Sequence, residues 1–161
     1  MSSGIYIYLE VERYLKEYLN FHFGDPVRLP ANSPENKLIR RHLSRLPENT
    51  NPDLQPNQDI SFVRIEIPYS KEKDPREYNF LFPSVKDALR DSLITIFENH
   101  MWTDLLDIKK RKRGNLTLEI YAWCETNGIS NMNDDKNFET IRQKFYRMRH
   151  EYRKNNQVKL S

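Results

Sequence analysis

The sequence predicts an α+β fold, and three observations carry that expectation. Apolar residues alternate with period two at Ile5–Val11 and Ile60–Ile67, as half-buried strands require. Between Ser84 and Asp107 they recur at helical spacing for far longer than anywhere else in the 161 residues. The charge is also divided. Residues 109–161 hold 13 Lys/Arg against 6 Asp/Glu, whereas residues 1–108 hold 13 against 17. That shift sets the expected domains at 1–108, a small strand-and-helix domain ending in a long spine helix, and 109–161, a basic helical region.

In chain order, Ile5, Ile7, Leu9 and Val11 alternate with Tyr6 and Tyr8 and predict the first strand. The period then changes: Val11, Tyr14, Leu15, Tyr18 and Leu19 follow i, i+3, i+4, i+7, i+8, until Gly24 and Asp25-Pro26 stop the helix. Val27 to Leu29 reads as a short strand. Ser33-Pro34-Glu35 supplies an N-cap serine, a proline at N1 and an acid in the first turn. The expected helix there buries Leu38, Ile39, His42, Leu43 and Leu46 and closes at Pro47. Residues 47–58, with three prolines and almost nothing to bury, predict a loop.

Within Ile60–Ile67, Val63, Ile65 and Ile67 share one face while Arg64 and Glu66 take the other; Phe62 beside Val63 suggests a bulge or burial on both faces. Asp74-Pro75 marks a turn, and Tyr78, Phe80, Leu81 and Phe82 are too apolar for a free loop. Ser84 and Asp87 resemble a capping box for the spine helix, whose expected buried face includes Val85, Ala88, Leu89, Leu93, Ile96, Phe97, His100 and Met101. Trp102, Leu105, Leu106 and Ile108 extend that face.

The basic region opens with Lys109, Lys110, Arg111, Lys112 and Arg113, a run that as a linker is self-repelling and as an arm grips phosphates. Leu116–Gly128 predicts a short helix with Thr117 as N-cap, a staple between Leu116 and Tyr121, and Gly128 at the C′ position. Asn137–Lys154 predicts a second, with Phe138, Ile141, Phe145, Met148 and Tyr152 in one narrow stripe. Arg142, Gln143, Lys144, Tyr146, Arg147, His150, Arg153 and Lys154 lie off the stripe, with side chains suited to phosphate, stacking or base-edge contacts. Together with the arm these are the candidate DNA-binding residues. The pair resembles a helix-turn-helix, but its connection, 128–136, exceeds the usual three or four residues.

Catalytic chemistry is not evident. The four glycines form no phosphate-cradling motif, and His22, His42, His100 and His150 show no metal-ligand spacing. His42 and His100 fall on apolar helix faces and read as satisfied core or boundary residues. The single cysteine, Cys124, excludes an internal disulfide and reads as a buried thiol. Asp87, Asp91 and Glu98 share a side of the spine helix, as a metal-dependent nuclease would need, yet Lys86 and Arg90 interleave them as on a solvated face. No catalytic residue, metal or cofactor is expected. Neither a signal peptide nor a membrane span is evident, so a cytoplasmic location without membrane partners is expected.

Three segments carry a wider resemblance: ENKLIRRHLSRLP at 35–47, DPREYNFLFP at 74–83, and IYAWCETNGI followed by FETIRQKFYRMRHEYRK in the basic region. In these the chain resembles uncharacterised small proteins of phages and mobile elements of gut bacteria. The resemblance implies a bacterial protein with a DNA-binding C-terminal region. The expected function is non-enzymatic nucleic-acid binding, duplex DNA favoured, with the N-terminal part free to meet a protein partner. Two alternatives stand beside it: an interaction module whose basic face meets an acidic protein, and a metal-dependent nuclease or recombination accessory factor.

Overall fold

A computed structural model describes residues 2–108, 116–130 and 135–160. It is mixed α+β, as expected. Four strands, β1 (Tyr6–Glu10), β2 (Ser44–Arg45), β3 (Phe62–Glu66) and β4 (Tyr78–Phe80), accompany five helices: α1 (Arg13–Phe23), α2 (Pro34–His42), α3 (Pro83–Ile108), α4 (Leu116–Thr126) and α5 (Asp135–Leu160). The chain forms two compact units, Met1–Thr95 and Ile96–Ser161. Their division falls inside α3, upstream of the Lys109 boundary that the charge shift suggested.

In the first unit β1 and β3 pair antiparallel from Tyr6 opposite Glu66 to Glu10 opposite Phe62. The register is unbroken, so Phe62 makes no bulge; it joins the outer face, edge-on to Tyr8. Ile7, Leu9, Val63 and Ile65 point inward and are buried, with Tyr14, Leu15, Tyr18 and Leu19 of α1 among the same core residues. Val27 bridges β3 in parallel, the remnant of the short strand expected there. Side chains occupy the other edge of β1. Lys86 Nζ donates to the Tyr8 carbonyl at 3.0 Å and Arg90 Nε to that of Glu10 at 2.7 Å. Lys86 also pairs with Asp53 at 2.7 Å, tying the proline-rich loop to this edge. Strand groups that would otherwise recruit another chain are thereby occupied.

Several local expectations fail for identifiable reasons. Ser33 does cap α2, accepting from the Asn36 amide, but the helix ends at His42 rather than Pro47. Leu43 turns to extended geometry, and Ser44–Arg45 pairs with β4 instead. His42 and Leu46 are consequently exposed, while Glu35 is buried and accepts from Ser92 Oγ at 2.6 Å. Pro83 begins α3, so Ser84 lies within the helix and Asp87 pairs with Arg90 rather than closing a capping box. Ala88 is exposed; the buried line is Leu89, Leu93, Phe97, Met101 and Leu105.

The second unit is helical. Phe97, Met101 and Leu105 of α3 are buried in it together with Ile120, Trp123 and Cys124 of α4 and Phe138, Ile141 and Phe145 of α5. The spine helix therefore supplies a third wall to the predicted pair. Trp123 packs edge-on against Phe97, and its Nε1 donates to Asp104 Oδ2 at 2.9 Å. His100 meets the same carboxylate at 3.0 Å, the satisfied boundary role expected of it. Thr117 lies inside α4 rather than at its cap, and Tyr121 stacks on Phe138 with 3.7 Å between centroids instead of stapling Leu116. The far end follows expectation. Gly128 has φ 79°, the Ile129 amide reaches the Cys124 carbonyl at 2.9 Å, and Gly128 reaches Glu125 at 3.3 Å, the two bonds of a Schellman closure. No helix among the described residues is long and apolar enough to cross a membrane.

Candidate nucleic-acid interface

Helix α5 runs for 26 residues, about 39 Å at the standard rise. Its inner stripe fixes its orientation. Phe138, Ile141 and Phe145 are buried, and Phe145 lies 5.5 Å from the Trp102 ring. Met148 is half-buried, and Tyr152 is exposed although its ring still sits 5.3 Å from Trp102. Burial thus fades along the stripe. From Glu151 to Asn155 every residue is exposed.

Two rows run beside this stripe at the 4, 3, 4 spacing that keeps side chains on one face. In the first, Arg142 and Arg149 lie with their guanidinium carbons 5.7 and 5.2 Å from the Tyr146 ring centre, and Arg153 continues the row. A phenol between two guanidiniums is held by cation–π attraction and offers planar groups to a further aromatic or a phosphate. The second row is Gln143, Arg147, His150 and Lys154, all exposed. Arg147, Arg153 and Lys154 form no ion pair with any described residue.

Two of the candidate cations are already committed. Arg142 makes a two-pronged contact with Glu139, Nη2 to Oε1 at 2.7 Å and Nε to Oε2 at 3.0 Å. This hydrogen bonding holds the Glu139 carboxyl below the usual carboxylate range and raises the Arg142 guanidinium. Gln143 leans on the same carboxylate at 3.4 Å. Lys144 turns the other way, to Glu98 of α3 at 3.3 Å, and its side chain is only 17% exposed. It stands apart from the outer rows as a buttress between two helices of the unit.

The structure therefore brings together Tyr146, Arg147, His150, Arg153 and Lys154, with Gln143 and the paired Arg142 at one end, and leaves Lys144 out. Arg149, absent from the candidates, belongs with them; its i, i+3 relation to Tyr146 was the available signal. Lys109 to Arg113 lie outside the described residues. The helix-turn-helix likeness keeps its departure, because α4 ends at Thr126 and α5 begins only at Asp135.

The other chemistry weighed in the sequence settles into local contacts. Cys124 is fully buried, Asp87 pairs with Arg90, and Glu98 with Lys144. Among the described residues no group of three or more His, Cys, Asp or Glu is placed to hold a metal ion. What fold and site define together is an α+β protein with a helical second unit whose last helix carries an exposed basic row beside a half-buried Arg/Tyr row. No protein-family model, curated protein or solved structure matches the chain.

Proposed function

We propose that the chain is a non-enzymatic nucleic-acid-binding protein that grips duplex DNA through the outer rows of α5. One observation carries the reading: the side of α5 away from the buried Phe138, Ile141 and Phe145 displays Arg147, Arg149, Arg153 and Lys154 without acidic partners among the described residues, around a Tyr146 already stacked with arginine. Exposed arginines and lysines along one helix are the electrostatic footprint of a phosphate-contacting surface. Gln143 sits where an inserted helix meets base edges, and Arg147, Arg149, Arg153 and Lys154 where it meets the backbone.

The test is fluorescence anisotropy with labelled duplex DNA across salt concentrations. Affinity that falls steeply with salt is expected. Replacing Lys109 to Arg113 with neutral residues should flatten that dependence and leave any sequence preference intact, since phosphate contacts position and do not read. Absence of binding to duplex or single-stranded DNA at about 50 mM salt, where non-specific binders still hold, would reject the reading in favour of a protein-interaction module with a basic face.

A further inference from the structure

The first unit pairs seven of its thirteen Lys and Arg side chains with acids. Arg28 meets Glu66, Arg45 Glu77, Arg64 Asp25, Arg76 Asp74, Lys86 Asp53 and Arg90 Asp87. Arg13 pairs with Glu17, and Lys16 lies over the Phe62 ring. Lys37, Arg40, Arg41 and Lys71 form no ion pair with any described residue. Two of these, Arg40 and Lys71, line one cavity of about 380 Å³ between the end of α2 and the loop that follows β3. That volume lies in the range of small-ligand clefts, roughly 300–1,000 Å³.

The cavity is prepared for a negative guest by a third cation. The exposed carbonyls at a helix C-terminus carry partial negative charge and would repel an anion. Here Lys73 neutralises them: its Nζ donates to the carbonyls of Arg40, Arg41 and Leu43 at 2.9, 3.2 and 3.0 Å. Ser70 Oγ accepts from the Glu72 amide at 3.3 Å, leaving its own proton free to donate. Glu72 also lines the wall and sets a limit. Its carboxylate disfavours a second anionic group inside the cavity.

We propose that this cavity binds a single phosphoryl group, with the Arg40 guanidinium and the Lys71 ammonium as its charged contacts and the Ser70 hydroxyl as a third donor. Arg40 can meet two phosphate oxygens at once, while Lys71 acts as a point charge. The group is either a phosphate ester of a small molecule or one phosphate of a nucleic-acid backbone. The site does not depend on α5 binding DNA.

The test follows backbone amide NMR shifts of the full chain during titration with inorganic phosphate, ribose 5-phosphate or a short duplex, chloride keeping ionic strength constant. Saturable shifts at Ser70 to Lys73 are expected. Arg40→Gln with Lys71→Gln should weaken them about tenfold or more, the order expected when charged hydrogen bonds are lost. Arg147→Gln with Arg153→Gln should leave them unchanged for the small probes. Saturation by ribose 5-phosphate assigns the site to a small phosphate ester; saturation by duplex alone assigns it to a backbone phosphate. The four replaced side chains are exposed, and an unchanged melting temperature verifies that the variants fold. Shifts that stay linear for every probe, or that survive the Arg40/Lys71 replacement, overturn the proposal.

Discussion

Lys144 and Arg147 stand three residues apart on one helix, carry the same charge, and should fail in opposite ways when neutralised. Arg147 is exposed with no acidic partner among the described residues, so Arg147→Gln removes one phosphate contact and little else. Each such contact contributes about 0.9 to the slope of log affinity against log salt. The four unpaired cations of the outer rows then account for a slope of about −3.6, or roughly 150-fold weaker binding at 200 mM than at 50 mM salt. Losing one should reduce the magnitude of that slope by about 0.9 and shrink the salt effect about 3.5-fold, with the fold held within about 0.5 kcal/mol. Lys144→Gln instead leaves Glu98 partly buried without its cation. That should cost about 1–2 kcal/mol and several degrees of melting temperature and leave the salt slope unchanged. Anisotropy titrations at four salt concentrations, with thermal melts of each variant, separate the outcomes. A flattened slope for Lys144→Gln and an unchanged one for Arg147→Gln would refute the division between an inner and an outer side of α5.

Three further outcomes are expected. Phe145→Ala removes a buried ring packed by Trp102 and should cost about 3–5 kcal/mol, read by denaturant titration; a loss under 1 kcal/mol would mean that the helical core does not depend on this stripe. A fragment ending at Thr95 should unfold cooperatively, whereas one ending at Ile108 should expose Phe97, Met101 and Leu105 and self-associate, as sedimentation would show. Acid should destabilise the chain. Burial pushes the Glu66 carboxyl up, but bonds from the Ser2 hydroxyl, Arg28 and the Gly4 amide outweigh it and hold the pKa low; Arg76 and Arg142 lower Asp74 and Glu139. For such groups the unfolded chain binds more protons, so their stabilisation is complete above the unfolded carboxylate range, about pH 4.3 for Glu and 3.9 for Asp, and is lost as pH falls through the lower folded values. Arg28→Ala should shallow that acid decline in denaturant midpoints at pH 7, 5, 4 and 3.

Where local pattern decides structure, the sequence was a sound guide. The alternation at Ile7, Leu9, Val63 and Ile65 survives as the buried face of a sheet, and Tyr14, Leu15, Tyr18 and Leu19 as the buried face of α1. Ser33 at its cap and Gly128 at its Schellman turn also follow from chemistry within a few residues. The failures lie where a distant partner overrides the local signal. Leu43 and Leu46 continue a helical pattern, yet pairing with β4 draws Ser44–Arg45 into a strand. Burial of Glu35 requires Ser92, 57 residues away.

The candidate interface rests on charge, and charge alone cannot tell a free cation from a committed one. Glu139 stands three residues before Arg142, so their pairing was available from helical spacing. Glu98 stands 46 residues before Lys144, and only the packing of α5 on α3 brings them together. The same reasoning explains why the first unit hid its cations of interest. Its net acidity carries no sequence signal of an anionic ligand. Once the ion pairs are drawn, Lys37, Arg40, Arg41 and Lys71 remain without one among the described residues; Arg40 and Lys71 of these line the cavity, where Lys73 has already neutralised the carbonyls at the end of α2.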